Sequence, residues 1–165
     1  METVYDFKNE LPHLHGLGTF LFFLVGGYIY YWQNSLESTD EETDETQEKK
    51  RFFGLVIFGI CLLTSLVMLP IEIYRYVETR HNYRNLDMNE GYVSNYHAMP
   101  SSGHDYEQFS VNDIPFYFSD FDETNYGYNN AASLGGAIRN NLYVRIGYYA
   151  DGDRNIILKL ETRQE

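Results

Sequence analysis

Cysteine is almost missing from this chain. The single one, Cys61, cannot form an intramolecular disulfide, so no disulfide framework holds the fold. It lies inside an apolar block, where a structural thiol is expected rather than a nucleophile. Positive charge is scarce as well: 12 Lys and Arg stand against 24 Asp and Glu, a formal charge of -12. None of the segments 1–13, 34–51, 52–76 and 77–165 is net basic, which leaves nucleic-acid binding without its electrostatic footprint. The same acidity sets the polar part of the chain against anionic lipid headgroups. It suits solubility, or a basic partner.

In two stretches charge is absent altogether. Residues 14–32, "LHGLGTFLFFLVGGYIYYW", and 52–71, "FFGLVIFGICLLTSLVMLPI", contain no Asp, Glu, Lys or Arg. About 20 helical residues cover the hydrocarbon core of a bilayer, and neither block has the polar face of a soluble core helix. Two transmembrane helices are therefore expected, at 14–33 and 52–74. The first has an acidic flank (Glu2, Asp6, Glu10 against Lys8) and an aromatic end at Tyr30, Tyr31 and Trp32, so an anchor is expected rather than a signal peptide. Gly16, Gly18, Gly26, Gly27, Gly54 and Gly59 leave room for another helix backbone, although no pair of them has the four-residue spacing of the glycine dimer motif. No ionisable group falls at mid-depth, which argues against an ion or proton pathway.

The remaining organisation follows from composition. Residues 1–13 read as a tail. Residues 34–51, acidic and without an apolar stripe, read as a disordered loop. Residues 75–90 read as a helical linker stopped by Gly91. Two spans place both termini on one side. The basic residues Lys8, Arg75, Arg80 and Arg84 outnumber Lys49, Lys50 and Arg51 by one, which points to cytoplasmic termini.

From residue 91 to 165 the apolar period changes to two. "GYVSNYHA", "YEQFSV", "PFYFSD", "LYVRIGYY" and "NIILKLE" read as five strands. Asn112-Asp113 and Asp151-Gly152 supply turn signals. Leu142, Val144, Ile146 and Tyr148 are expected on one face, with Tyr143, Arg145 and Tyr149 on the other. Ile156, Leu158 and Leu160 are expected to share a face. Five short strands suit a small antiparallel barrel of the OB or SH3 kind, which would close its edges.

The segments "EGYVSNYHAMPSSGH", "EQFSVNDIPFYFSDF", "GYNNAASLGGAIRNNLYVRIGYY" and "NIILKLE" resemble a family of uncharacterised bacterial membrane proteins, over most of residues 90–161. The resemblance implies a helical anchor before a β-domain that ends in a hairpin, and a place in the bacterial cytoplasmic membrane. It implies no activity. Relatives of that kind often carry a His before the double glycine and a Pro after it; here Leu134 and Ala137 stand there, so any chemistry tied to that His is missing.

Candidate sites are few. The stretch "NYGYNNAASLGGAIRNN", 125–141, has glycines and asparagines suited to left-handed turns. Gly135, Gly136, Arg139 and Asn140 would be its ligand contacts. A phosphate cradle would need a following helix and a lysine, and neither is there, so an ordered turn is preferred. His97, His104 and Asp105, with Glu107 beside them, have metal-ligand chemistry but match no established spacing. "SDFDET" lacks the glycine and terminal Glu of a calcium loop. No nucleophile elbow is present. The sequence thus leads to a non-catalytic membrane protein without cofactor, working by interaction. Its expected partners are the lipid bilayer, a protein and further copies of itself, and not nucleic acid. A ligand-sensing loop at 125–141 is the alternative, and a membrane-linked hydrolase a distant one.

Overall fold

The computed structural model describes residues 1–13, 15–36, 44–100, 105–121 and 126–163. Its elements are β1 (Glu2–Asp6), α1 (His15–Leu36), α2 (Asp44–Asn82), β2 (Asp87–His97), β3 (Glu107–Val111), β4 (Ile114–Phe118), β5 (Tyr143–Asp151) and β6 (Arg154–Arg163). The chain divides into two units, residues 12–74 and a unit made of 1–11 with 75–165.

Among the described residues one helix, α2, meets the length and composition of a membrane span. The stretch from Phe52 to Asn85 contains a window with a mean hydropathy of 2.6, almost none of it buried. Two spans were expected from the sequence. α1 is helical over 22 residues, but its described apolar stretch, Leu17–Tyr30, falls short of the ~20 residues that a span needs. α2 also begins earlier than expected: Asp44 to Arg51, assigned above to a disordered loop, are helical. Ser65 and Thr64 donate back to the Cys61 and Ile60 carbonyls, at 2.8 and 3.0 Å, which satisfies their hydroxyls within apolar surroundings.

The second unit is a six-stranded antiparallel sheet in the order β1-β6-β5-β2-β3-β4. All five strands expected from the alternation are present. The sixth, β1, comes from the stretch expected as a tail: "ETVYD" pairs with β6 from Glu2↔Thr162 to Asp6↔Lys159. Five residues of mixed polarity give no strand signal of their own, and the β6 edge supplies what they lack.

The sheet is open, not a closed barrel. β4 curls toward the β5–β6 hairpin but meets it only through side chains, Asn155 Nδ2 donating to the Pro115 carbonyl at 2.9 Å and the Tyr117 hydroxyl to the Asp153 carbonyl at 3.3 Å. β6 is already engaged by β1. Just past the last partner of β1, Lys159, the Tyr128 N–H donates to the Ile157 carbonyl at 2.9 Å. A segment of the glycine- and asparagine-rich loop therefore stands where a closing strand would.

The linker reading also changes. α2 ends at Asn82, a short 3₁₀ turn (Tyr83–Asn85) follows, and β2 begins at Asp87. Gly91 is not a helix stop. It lies within β2, where the Asn112 side chain crosses so closely that a Cβ would come within 2.8 Å of its oxygen. Asn112 Nδ2 donates to Asn89 Oδ1 (2.8 Å) and to the Glu90 carbonyl (3.0 Å), tying the β3–β4 turn to β2. That turn has Asn112 and Asp113 both at positive φ (49° and 64°), the type I′ pattern. At the β5–β6 turn only Gly152 has positive φ (64°).

The core lies on one face of the curled sheet, around Phe109, Phe116, Val111, Val144, Ile146 and Leu160, with Phe109 stacked on Phe116 at 5.3 Å. Leu142, Val144, Ile146 and Tyr148 share it, as their alternation requires. A second cluster occupies part of the opposite face: Phe7, Tyr126 and Leu158, flanked by Tyr76, Tyr83 and Tyr149. A bulge divides β6 between the two. Gly147 opposes Lys159 while Tyr148 opposes Ile157, so Leu158 is the extra residue. Leu160 stays in the main core and Leu158 joins Ile156 in the second cluster, against the expectation that all three share a face.

Candidate functional site

The loop from residue 126 onward can be followed bond by bond; Asn125 lies outside the described residues. Ala132–Leu134 form one 3₁₀ turn, capped by Gly135 in the left-handed region at φ 88°. Leu134, Gly135 and Gly136 N–H donate to the Ala131, Ala132 and Ala131 carbonyls at 3.0, 3.1 and 2.9 Å. A Cβ on Gly136 would fall 2.1 Å from the Asn130 carbonyl oxygen, so only glycine fits. The Ala137 N–H donates to the Tyr128 hydroxyl at 2.9 Å, and Ile138 is buried in the main core. Asn141, at φ 64°, donates to the Val93 carbonyl at 3.0 Å and brings the chain into β5.

These bonds settle where the four expected contacts stand. Gly135 and Gly136 close the turn, while Arg139 and Asn140 are exposed at the entry to β5. The N–H groups of Tyr128, Ala132, Leu134, Gly135, Gly136 and Ala137 are bound within the protein.

Of the expected metal ligands, His97 and Asp105 do meet, at 3.3 Å and largely exposed. The Tyr106 N–H at 2.8 Å and then His97 hold the Asp105 carboxyl below its ordinary range. His104 lies outside the described residues. Among the described residues no three His, Cys, Asp or Glu side chains gather as a metal site.

Glu107 behaves differently from both. It is fully buried, and its Oε2 accepts from the Ala132 N–H at 2.8 Å. The Tyr96 hydroxyl and the Met99 N–H also act on the carboxyl. Burial pushes the carboxyl above its ordinary range; the Ala132 N–H pulls the other way. A signal was there in the sequence: in "YEQFSV" the alternation puts Glu107 on the apolar face with Phe109 and Val111. A carboxylate at such a position needs internal donors, and here they order the loop.

A further surface lies on the part of the sheet that no described segment covers. Cross-strand register aligns three rungs over β2, β5 and β6: Tyr92–Tyr143–Arg163, Glu90–Arg145–Glu161 and Met88–Gly147–Lys159. In the first, the Tyr92 and Tyr143 rings meet edge to face at 5.0 Å and the Arg163 guanidinium lies 4.5 Å from the Tyr143 ring centre. In the second, Arg145 Nε donates to Glu90 at 2.7 Å and Nη1 to Glu161 at 3.4 Å, while Lys159 pairs with Glu161 at 2.8 Å. The Tyr143 hydroxyl donates to Glu90 at 3.0 Å and links the rungs. Arg145 foremost, then Tyr143, lowers the Glu90 carboxyl from its ordinary range; Lys159 does so for Glu161. Tyr92 and Met88 nonetheless remain 57% and 55% exposed.

No family model, curated protein or solved structure matches this chain.

Proposed function

We propose that this chain is an integral membrane protein whose sheet unit is a non-catalytic binding module. It engages a partner protein through the Tyr92–Tyr143–Arg163 rung. The observation that carries the reading is this rung: two tyrosines and an arginine ordered by one another, with Tyr92 and Arg163 still exposed. Tyr and Arg dominate the energetics of protein interfaces, and side chains already held in place lose less entropy on binding. The acidic charge of the chain favours a partner with a basic rim.

Membrane attachment is supported by the apolar segment of α2. The β1–β6 ladder adds a topological argument. It places residues 2–6 in the same unit as residues 75–165, so the chain between them crosses a bilayer an even number of times. If α2 crosses, the second crossing falls to α1 as a hairpin, although the described apolar stretch of α1, Leu17–Tyr30, is short for a span. The four-to-three count of basic residues favours the cytoplasmic side for the sheet unit, and the resemblance supports a bacterial inner membrane. Self-association through Gly26, Gly27 and Gly59, which face open space, is compatible with this reading.

The test is cysteine labelling in intact cells. With Cys61→Ala as background, single cysteines at Glu2, Lys49 and Ser133 are probed with an impermeant maleimide. Positions 2 and 133 are expected to label together and position 49 oppositely. Identical labelling of all three would remove the hairpin. Crosslinking from position 92 should then yield one dominant partner, and a ladder of abundant bystanders would count against the module.

A further inference from the structure

The sheet unit has a groove of about 350 Å³ between the last turns of α2 and the β5–β6 hairpin. That is within the size range of small-ligand sites. Arg75 and Glu78 line it from α2, Asp151 and Arg154 from the hairpin, over a floor that includes Thr79 and Tyr126.

Arg154 is held in place. Its guanidinium carbon lies 5.2 Å from the ring centres of both Tyr106 and Tyr117, and Nη2 donates to the Tyr106 hydroxyl at 3.1 Å. The two rings and this bond fix Arg154 at one side of the groove. The acidic pair, Glu78 and Asp151, is placed by the groove lining itself. The Tyr149 hydroxyl on the same wall has its pKa raised by burial first and then by Asp151 and Glu78, in keeping with that placement. Two guanidinium groups and two carboxylates therefore share one groove. A simple anion would meet two carboxylates there, and a simple cation two guanidinium groups. A ligand carrying both charges meets a partner for each.

We infer that the groove binds a zwitterion bearing a phosphate and a primary ammonium, the chemistry of a phosphoethanolamine headgroup. The phosphate lies toward Arg75 and Arg154, the ammonium toward Glu78 and Asp151. Where such a ligand would come from rests on the membrane reading above: Arg75 directly follows the apolar run that ends in Ile73 and Tyr74, at the depth of headgroups if α2 crosses.

The experiment uses the full chain in phosphatidylcholine nanodiscs, titrated by calorimetry with glycerophosphoethanolamine, inorganic phosphate, ethanolamine and glycine. Glycerophosphoethanolamine is expected to bind at least ~10-fold more tightly than the other three, one charge pair being worth about that factor. Glu78→Gln, an exposed position, and Arg154→Gln should each weaken it by a similar factor. Equal binding of phosphate or glycine, or full binding by Glu78→Gln, overturns the inference. A second arm measures lipids retained after purification from mixed phosphatidylethanolamine and phosphatidylglycerol vesicles. Enrichment of phosphatidylethanolamine that Glu78→Gln abolishes identifies the lipid as the source. Binding of the soluble probe without enrichment identifies a free aminophosphate, and it upholds the site even if the labelling experiment removes the membrane hairpin.

Discussion

The Glu107 carboxylate and the Ala132 N–H, 25 residues apart in the chain, meet at 2.8 Å inside the sheet unit. The contact joins β3 to the loop that stands in for a closing strand, and it makes a buried acid part of the fold.

Removing that acid separates its two roles. Glu107→Ala leaves the Ala132 N–H without its acceptor and should cost about 1–3 kcal/mol. Glu107→Gln keeps an oxygen but cannot titrate. The native pKa is raised above the unfolded value of 4.5, so the contribution of Glu107 is full below 4.5 and is lost as pH rises through the native value. Thermal unfolding of wild type and Glu107→Gln between pH ~4.5 and ~7 should show the wild type gaining relative to the variant as pH falls. Glu90, Glu161 and Asp105, whose depressed pKa values act in the opposite sense, are common to both proteins and cancel in the difference. A gap that does not change with pH would contradict the burial of a titrating Glu107.

Gly135→Ala and Gly136→Ala should differ sharply although they are neighbours. At Gly135 a Cβ meets open space, and the cost is that of a left-handed residue, about 1–2 kcal/mol. At Gly136 the Cβ falls on the Asn130 and Ala131 backbone, which must move. Denaturant titration of both variants should place Gly136→Ala well below Gly135→Ala; equal midpoints would mean that the turn relaxes freely.

Phe7 is 1% exposed and packs against Tyr76, Tyr83 and Tyr126, with ring centres 5.5–5.9 Å away. Phe7→Ala should destabilise the sheet unit by about 3–5 kcal/mol, the usual cost of emptying such a site. Loss of less than about 1 kcal/mol, measured by urea unfolding, would show that residues 1–9 are dispensable to the fold.

On the open sheet face, Tyr92→Ala should hardly change the unfolding midpoint, because its ring is exposed. It should weaken the crosslinked partner about 30-fold, the scale of a 2 kcal/mol interface anchor. An equal effect of Leu134→Ala, which is 66% exposed on the loop instead, would move the interface away from the rung.

Much of the local structure was legible in the sequence because it depends on local terms. The apolar run of α2, the alternation of β2 to β6 and the turn chemistry at Asn112-Asp113 each follow from residues a few positions apart. The bulge at Leu158 was not, because alternation alone cannot say which residue of "NIILKLE" is left unpaired. Gly91 was misread for a similar reason: a glycine after a helical stretch looks like a stop until the distant Asn112 side chain is seen lying across it.

The sequence by itself determined an acidic chain with a span-length apolar run in α2, five alternating strands and a loop rich in left-handed conformers. The second span expected at 14–33 is a shorter apolar helix in the structure. Tertiary structure alone decided that the N-terminal "ETVYD" is a sixth strand, that the sheet stays open, and that Glu107 holds the loop closed over the gap. Each of these depends on partners far away in the chain, and their energies arise only when those partners meet.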